Sequence, residues 1–71
     1  MKISARNNLK GKILTVKKGA TTAHITIDVG GQIVTAAITN ESAEELKLAP
    51  GMTAYAVIKA SDVMVGVDHT H

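Results

Sequence analysis

Two short segments carry side chains suited to binding a small oxyanion. Residues 4–7, Ser-Ala-Arg-Asn, place a hydroxyl, a guanidinium and an amide together, and residues 59–61, Lys-Ala-Ser, join an ammonium and a hydroxyl across a small residue. A tetrahedral dianion needs several converging N–H and O–H donors, one or two fixed cations and no nearby carboxylate. Taken alone, each cation is more often an ordinary solvated surface charge than part of a binding site. Only the two segments together support the hypothesis of an oxyanion site.

Catalytic chemistry has little support in the sequence. There is no cysteine nucleophile, and His24 lies in a predicted strand, far along the chain from His69 and His71. The carboxylates of residues 41–45 fit the beginning of a helix, where acidic side chains are stabilising. The Gly-Gly pair at 30–31 lacks the spacing of a phosphate-binding loop. We therefore expect no enzyme activity, no catalytic residues and no catalytic cofactor.

The C-terminal tail, residues 68–71, contains Asp-His-Thr-His and could supply metal ligands. A structural metal site needs four ligands held in place, and the last residues of a chain seldom provide them. We expect no specific metal site.

Alternation of apolar and polar residues predicts four or five strands. The clearest covers residues 22–29, and Gly30-Gly31 predicts a tight hairpin turn after it. The return strand, 32–39, has apolar residues on both faces, which indicates a barrel interior on one side and a neighbouring subunit on the other. Further strands are expected around residues 14–17, 52–59 and 63–67, and a second turn at 17–20.

A short helix is predicted from residue 40 to residue 46. Ser42 as the N-cap and Glu45 three residues later match a capping box, and Lys47 suits the negative end of the helix dipole. Pro50-Gly51 is expected to stop the helix. One or two turns are not stable alone, so this helix is expected to plug the end of a barrel.

Length and composition favour an oligomer. The chain has 71 residues, no cysteine and a single aromatic residue, although 45% of it is apolar. Domains this small usually need disulfides, a metal or oligomerisation, and no disulfide can form here. Closure of the sheet would remove exposed edges. The predicted fold is all-β, a small OB-like five-stranded barrel with one short inserted helix.

An OB-like barrel also suggests an alternative function, an interaction module that binds protein or single-stranded nucleic acid. Binding of single strands requires aromatic platforms and a basic groove. Tyr55 is the sole aromatic residue, and the eight lysines and arginines are dispersed, with a net charge of +2. We expect no nucleic-acid partner.

No apolar stretch approaches the ~20 residues of a membrane span, and the N-terminal residues lack the apolar core of a signal peptide. We expect a cytoplasmic protein that does not contact the membrane.

In combination, the segments resemble the Mop (molbindin) family of small molybdate-binding proteins. The resemblance rests on Ser-Ala-Arg-Asn at 4–7, Leu-Lys-Gly at 9–11, Thr-Ala-Ala-Ile-Thr at 35–39, Ser42 and Leu46, Ala-Val-Ile-Lys-Ala-Ser at 56–61 and Val-Met-Val-Gly at 63–66. It covers residues 1–67 as a single Mop-type domain, with residues 68–71 as a tail outside it. No helix-turn-helix or ATPase segment is present, which favours a stand-alone binding protein over a regulator.

The resemblance implies a hexamer, a trimer of dimers, that holds molybdate or tungstate at subunit interfaces for intracellular storage or buffering. Matched by motif, the oxyanion site consists of Ser4, Ala5, Arg6, Lys59, Ala60 and Ser61, in which the two alanines supply backbone N–H groups. A second oxyanion site would use turn and helix-start N–H groups. Its candidate residues are Gly19, Ala20, Thr39, Asn40 and Ser42, with Glu41 as an unfavourable neighbour.

Overall fold

Four antiparallel strands and one short α-helix form the part of the chain, residues 6–69, that the computed structural model describes. The elements are β1 (Asn7–Lys18), β2 (Thr22–Asp28), β3 (Ile33–Thr39), α1 (Asn40–Glu45) and β4 (Thr53–Ile58), followed by a 3-10 turn (Ala60–Asp62). The strand order is β3-β2-β1-β4, and the sheet curls into a half-barrel. The all-β class with one short inserted helix is confirmed.

Strand β1 connects the two halves of the sheet. Its first half pairs with β4 and its second half with β2, so Lys12 lies opposite both Thr53 and Asp28. The register with β2 shifts between Ile13 and Thr15, which leaves an extra residue in β1 at that point. A bulge of this kind bends a strand and increases its twist. The bend allows one long strand to serve both neighbours as the sheet curls.

The core lies on the inner face of the half-barrel. The alternation predicted for residues 22–29 is confirmed, because alternate residues of β2 are buried while His24 between them is exposed. Short aliphatic side chains make up the core, which includes one residue from α1. The buried residues are Ile13, Ala23, Ile25, Ile27, Ala43 and Ala56.

The hairpin between β2 and β3 turns at Gly30 and Gly31, as predicted. Both glycines have positive φ, 99° and 94°, a region that is costly for residues with a side chain. The Asp28 carboxylate accepts hydrogen bonds from both backbone N–H groups, at 3.1 Å from Gly30 and 2.8 Å from Gly31. The glycines and the hydrogen bonds from Asp28 therefore both stabilise the turn at these two residues.

Helix α1 begins at Asn40, as predicted, but its N-cap differs from the predicted one. Its N-cap is Thr39, not Ser42, and the Thr39 hydroxyl oxygen accepts from the Ser42 backbone N–H at 3.0 Å. Glu45 is the last helical residue and forms no capping box with Ser42. The difference arises because β3 runs directly into the helix, so the extended residue that ends the strand is also the one that caps the first turn.

The helix also ends earlier than predicted. Leu46 is the C-cap, and Lys47 follows it with φ 54°, so Pro50-Gly51 does not stop the helix. The N–H of Lys47 donates to Glu44 O and that of Leu48 to Ala43 O, both at 3.1 Å. This pair of bonds is a Schellman motif, with Lys47 in the left-handed position that usually holds glycine. The last helical turn contains no basic residue.

Strand β3 is an edge strand within one chain, and its outer face is not buried. The inner residues Val34, Ala36 and Ile38 are half-buried, whereas Ile33 on the outer face is 61% exposed. The predicted burial of both faces is therefore not present in the isolated chain.

The predicted fifth strand, residues 63–67, is not part of the sheet. Four strands are hydrogen-bonded in the described part of the chain, and the sheet stays open between β3 and β4. Residues 63–67 follow the 3-10 turn without a strand partner and are exposed. A closed five-stranded barrel is therefore not formed by residues 6–69 of one chain. Within those residues, no helix has the length and hydrophobicity needed to cross a membrane.

Gly11 marks a close approach between β1 and β2. A Cβ built at Gly11 would overlap the carbonyl oxygen of Asp28 and lie 2.8 Å from Ile27 Cγ2. We expect Gly11→Ala to lower the free energy of unfolding by about 1–3 kcal/mol, because backbone must move to admit the methyl group. Urea unfolding monitored by circular dichroism measures the change.

Gly66→Ala is the matched control, since a Cβ there meets nothing within 4 Å. Equal unfolding midpoints for Gly11→Ala and the unchanged protein would contradict the close approach.

Candidate functional site

The pairing of β1 with β4 brings the two predicted oxyanion-binding segments to the same end of the sheet. Asn7 lies opposite Ile58 in the register, and the Asn7 amide donates to Ile58 O at 3.2 Å. Arg6 precedes Asn7 and Lys59 follows Ile58, so the two cations occupy neighbouring strand ends. Segments separated by more than fifty positions in sequence are adjacent for this reason.

A 3-10 turn follows directly after Lys59. Lys59 is extended, with φ −64° and ψ 141°, and its carbonyl oxygen accepts from the Asp62 N–H at 2.9 Å. The N–H groups at the beginning of such a turn have no partner inside it, which leaves those of Ala60 and Ser61 directed away from the turn. The local structure therefore supplies backbone donors directly after Lys59 in the chain.

Both cations are free of carboxylate partners within residues 6–69. The ion pair in that part of the chain joins Lys18 Nζ to Glu44 Oε1 at 3.4 Å and involves neither Arg6 nor Lys59. Arg6 and Lys59 are exposed, as are Ala60 and Ser61. Two unpaired positive side chains at neighbouring strand ends form a local excess of positive charge that favours an anion.

Asp62 is a neighbour of this site that the sequence reasoning did not consider. It lies in the same 3-10 turn, one residue after Ser61, and contributes a carboxylate to the first turn. Its position directly after the Lys-Ala-Ser segment was the available signal. The carboxylate opposes anion binding, so the site requires both cations. Ser4 and Ala5 lie outside the described residues.

The residues of the second predicted site are brought together by β2, β3 and the beginning of α1. Thr22 lies opposite Thr39 in the register, and the backbone N–H of Asn40 donates to Thr21 O at 2.9 Å. The Asn40 side chain donates to Gly19 O, also at 2.9 Å. The turn after β1 is thereby fastened to the beginning of α1.

Most donors at this second location are already used internally. The Ser42 N–H donates to the Thr39 hydroxyl oxygen, which in turn donates to Ser42 Oγ at 2.9 Å. The one buried side-chain atom without a partner in the described residues is Asn40 Oδ1, which is an acceptor. Glu41 also lies in the first turn of the helix. An unpaired acceptor repels an anion, so this location is the weaker candidate.

Two further depressions exist in the structure. An open one of about 490 Å³ is lined by Lys10, Lys12 and the β2–β3 turn, which the sequence reasoning did not single out although two lysines flank Gly11. An apolar one of about 420 Å³ lies on the inner face of the half-barrel and includes Tyr55. Among residues 6–69, no cluster of His, Asp or Glu side chains suits a metal ion, and Thr70 and His71 lie beyond them.

A family model described as "TOBE domain" matches residues 3–65. The chain belongs to the TOBE-domain family. The match covers most of the chain and both segments of the first candidate site. The resemblance to Mop proteins is confirmed by the relatives, among them MopII from Clostridium pasteurianum, which is 43% identical over 93% of this chain and 100% of that chain, with a TM-score of 0.87.

The relatives are described as proteins that bind molybdate or a molybdenum-pterin. A probable molybdenum-pterin-binding protein of Haemophilus influenzae is 46% identical over 96% of this chain and 100% of its own length. A molybdate-binding protein from Sporomusa ovata has a TM-score of 0.89 at 39% identity, covering 94% of this chain and 100% of that one. The cytoplasmic molybdate-binding protein ModG, with molybdate bound, also gives 0.89 at 45% identity, over 96% of this chain and 49% of that one.

Thr39 makes the side-chain cap on which the beginning of α1 depends. We expect Thr39→Ala to lower the free energy of unfolding by about 1 kcal/mol, because the Ser42 N–H loses its acceptor. Thr39→Ser keeps the hydroxyl oxygen and should retain most of the stability. Thermal unfolding of both variants decides the point, and equal losses for alanine and serine would show that the hydroxyl is not the cap.

Proposed function

We propose that this protein binds molybdate or tungstate at the interfaces of a hexamer, a trimer of dimers, and serves as an intracellular store or buffer for the anion. The observation that carries the proposal is the adjacency of Arg6 and the Lys59–Ser61 segment at one end of the β1–β4 pair, without a carboxylate partner for either cation. The molybdate-binding descriptions of the structural relatives support the choice of anion.

The charge at this site favours an anion. Arg6 and Lys59 together carry two positive charges against the single negative charge of Asp62, so the site attracts an oxyanion such as molybdate. Charge-assisted hydrogen bonds from these groups are stronger than neutral ones, and the Ser61 hydroxyl and the turn N–H groups add directional donors. Ser4 and Ala5 complete the proposed set from the other segment. Tungstate offers the same charge and shape to the same donors.

Exposure of the site argues for enclosure by a second subunit. Arg6, Lys59 and Ser61 are all exposed in one chain. Interactions between exposed charges are screened by water and salt and contribute little. A neighbouring chain that covers the anion would exclude water and strengthen each hydrogen bond. Ligand binding would then stabilise the assembly by mass action.

A binding role without turnover is consistent with the groups at the site. Arg6, Lys59 and Ser61 can hold an anion, whereas proton transfer is most often performed by histidine, which is not among them. We place the protein in the cytoplasm, as is stated for ModG. The nucleic-acid or protein-binding alternative gains no support from the relatives.

Isothermal titration of the purified protein with molybdate, tungstate and sulfate tests the proposal. We expect tight binding of the first two and weak binding of sulfate. Arg6→Ala should weaken molybdate binding by about 10- to 100-fold, because it removes a charged donor from an enclosed dianion. Light scattering of the same samples reports the mass of the assembly.

Lys10→Ala is the matched control, because it removes an exposed positive charge from β1 away from the strand end. It should leave molybdate affinity unchanged. Equal affinity for sulfate would refute selectivity for the larger oxyanions, and unchanged binding by Arg6→Ala would refute the site. A single-chain mass with molybdate bound would refute the interfacial location.

A further inference from the structure

The open depression of about 490 Å³ lies where β1 passes from its pairing with β4 to its pairing with β2. It is separate from the apolar cavity of about 420 Å³ on the inner face of the half-barrel, since the two have only Thr53 in common. Among the residues that the structure describes, its lining is made of glycines, two lysines, Asp28 and Thr53, and it includes neither Arg6 nor Lys59. The depression is therefore a polar feature that the proposed function does not use.

Missing side chains keep the depression open. Gly30 and Gly31 form the turn beside it, and a Cβ on either residue would meet no atom beyond its chain neighbours within 4 Å. Gly11 lies between the two lysines, where β1 and β2 approach so closely that a Cβ would overlap the carbonyl oxygen of Asp28. Both turn glycines also have positive φ, which disfavours a side chain. The opening thus results from backbone geometry and strand pairing.

Two unpaired ammonium groups lie on either side of Gly11. Lys10 and Lys12 are alternate residues of β1, so their side chains share one face and begin about 7 Å apart. Both residues are exposed. Within residues 6–69, the ion pair joins Lys18 to Glu44 and involves neither of them. Both ammonium groups are therefore available to a ligand in the depression.

The carboxylate in the lining is held by the turn. Lys12 lies opposite Asp28 in the register, yet no ion pair joins the two within the described part of the chain. Asp28 Oδ1 accepts instead from the backbone N–H groups of Gly30 and Gly31, at 3.1 Å and 2.8 Å. Such hydrogen bonds stabilise the charged carboxylate where it is. Two lysines against one aspartate leave the lining with an excess of positive charge.

We infer that this depression binds a diphosphate group. The ammonium groups of Lys10 and Lys12 contact one phosphate each, and the hydroxyl of Thr53, which lies opposite Lys12 in the register, donates to a phosphate oxygen. Lysine binds phosphate as a point charge and needs no fixed planar geometry, which suits two long side chains at an open surface. The inference goes beyond the proposed function, because it concerns another class of ligand and other residues.

Spacing and size both favour a diphosphate over a single tetrahedral oxyanion. The two lysines begin about 7 Å apart, so each can hold its own phosphate group. Sites for small organic ligands have volumes of about 300–1,000 Å³, and the depression, at about 490 Å³, lies within this range. Space therefore remains beside two phosphate groups for the organic part of a diphosphate ester. Inorganic pyrophosphate and a nucleoside diphosphate both carry the group that the lysines recognise.

Isothermal titration of the molybdate-saturated protein with pyrophosphate, ADP and inorganic phosphate tests the inference, at an ionic strength of about 0.15 M to screen weak attraction. We expect pyrophosphate and ADP to bind at least about 10-fold more tightly than phosphate, because two phosphate groups engage both lysines. Tighter binding of ADP than of pyrophosphate would identify an ester as the ligand, and the reverse order inorganic diphosphate. Equal affinities for pyrophosphate and phosphate would overturn the inference.

The same titrations without molybdate should give the same affinities, because the two sites share no residue. A failure of the molybdate proposal would therefore leave this result unaffected. Loss of pyrophosphate binding in the absence of molybdate, or its displacement by added molybdate, would contradict a separate site.

Lys12→Gln removes the charge and keeps a polar side chain of similar length. It should weaken pyrophosphate binding by about 10-fold and leave molybdate affinity unchanged. Lys17→Gln is the matched control, because Lys17 is an exposed lysine of β1 outside the lining. It should bind pyrophosphate like the unchanged protein. Equal losses in the two variants would show general attraction to positive charge and would refute the depression as the site.

Amide chemical shifts locate the ligand without any substitution. On addition of pyrophosphate, the backbone N–H signals of Gly11, Gly30 and Gly31 should move in a saturable manner, whereas those of Ala60 and Ser61 should not. Shifts confined to Ala60 and Ser61 would place the diphosphate at the oxyanion site instead. That result, or the absence of any saturable shift, would overturn the inference.

Discussion

The antiparallel pairing of β1 with two different strands is the constraint on which the rest of the structure depends. One half of β1 pairs with β4 and the other half with β2, and both ladders meet at Lys12. The register shift after Ile13 bends the strand, and the lack of a side chain at Gly11 allows its close approach to Asp28. Without these two features the sheet would lie flatter, and the core on its inner face would lose its enclosure.

The same pairing creates the candidate site. Asn7 lies opposite Ile58 in the strand register. The residues next to this pair, Arg6 before Asn7 and Lys59 after Ile58, are therefore neighbours in space. The 3-10 turn directs backbone N–H groups to the same end of the sheet. The site is therefore a consequence of strand register, with the local turn supplying directionality.

Because the half-barrel is open, the stability of one chain would depend on contacts with other copies of it. Among residues 6–69, the buried core consists of six small or medium aliphatic residues, while large apolar side chains such as Leu46 and Tyr55 stay exposed. A chain with so little buried surface is marginally stable on its own. Burial of the cavity and of the site by other copies would supply the missing contacts and exclude water from the anion. A single chain would then provide only part of the wall around the cavity and only part of the wall around the candidate site.

The sequence by itself determined the features that depend on local periodicity and turn chemistry: the alternation of β2, the Gly30-Gly31 turn, the short helix and the all-β class. It also selected both anion-binding segments, whose binding role stays a prediction. Only the tertiary structure decided that Thr39 caps the helix, that Asp62 adjoins the site and that residues 63–67 leave the sheet. Those outcomes depend on where strands end and which strands pair, and strand pairing is set by contacts between residues distant in sequence.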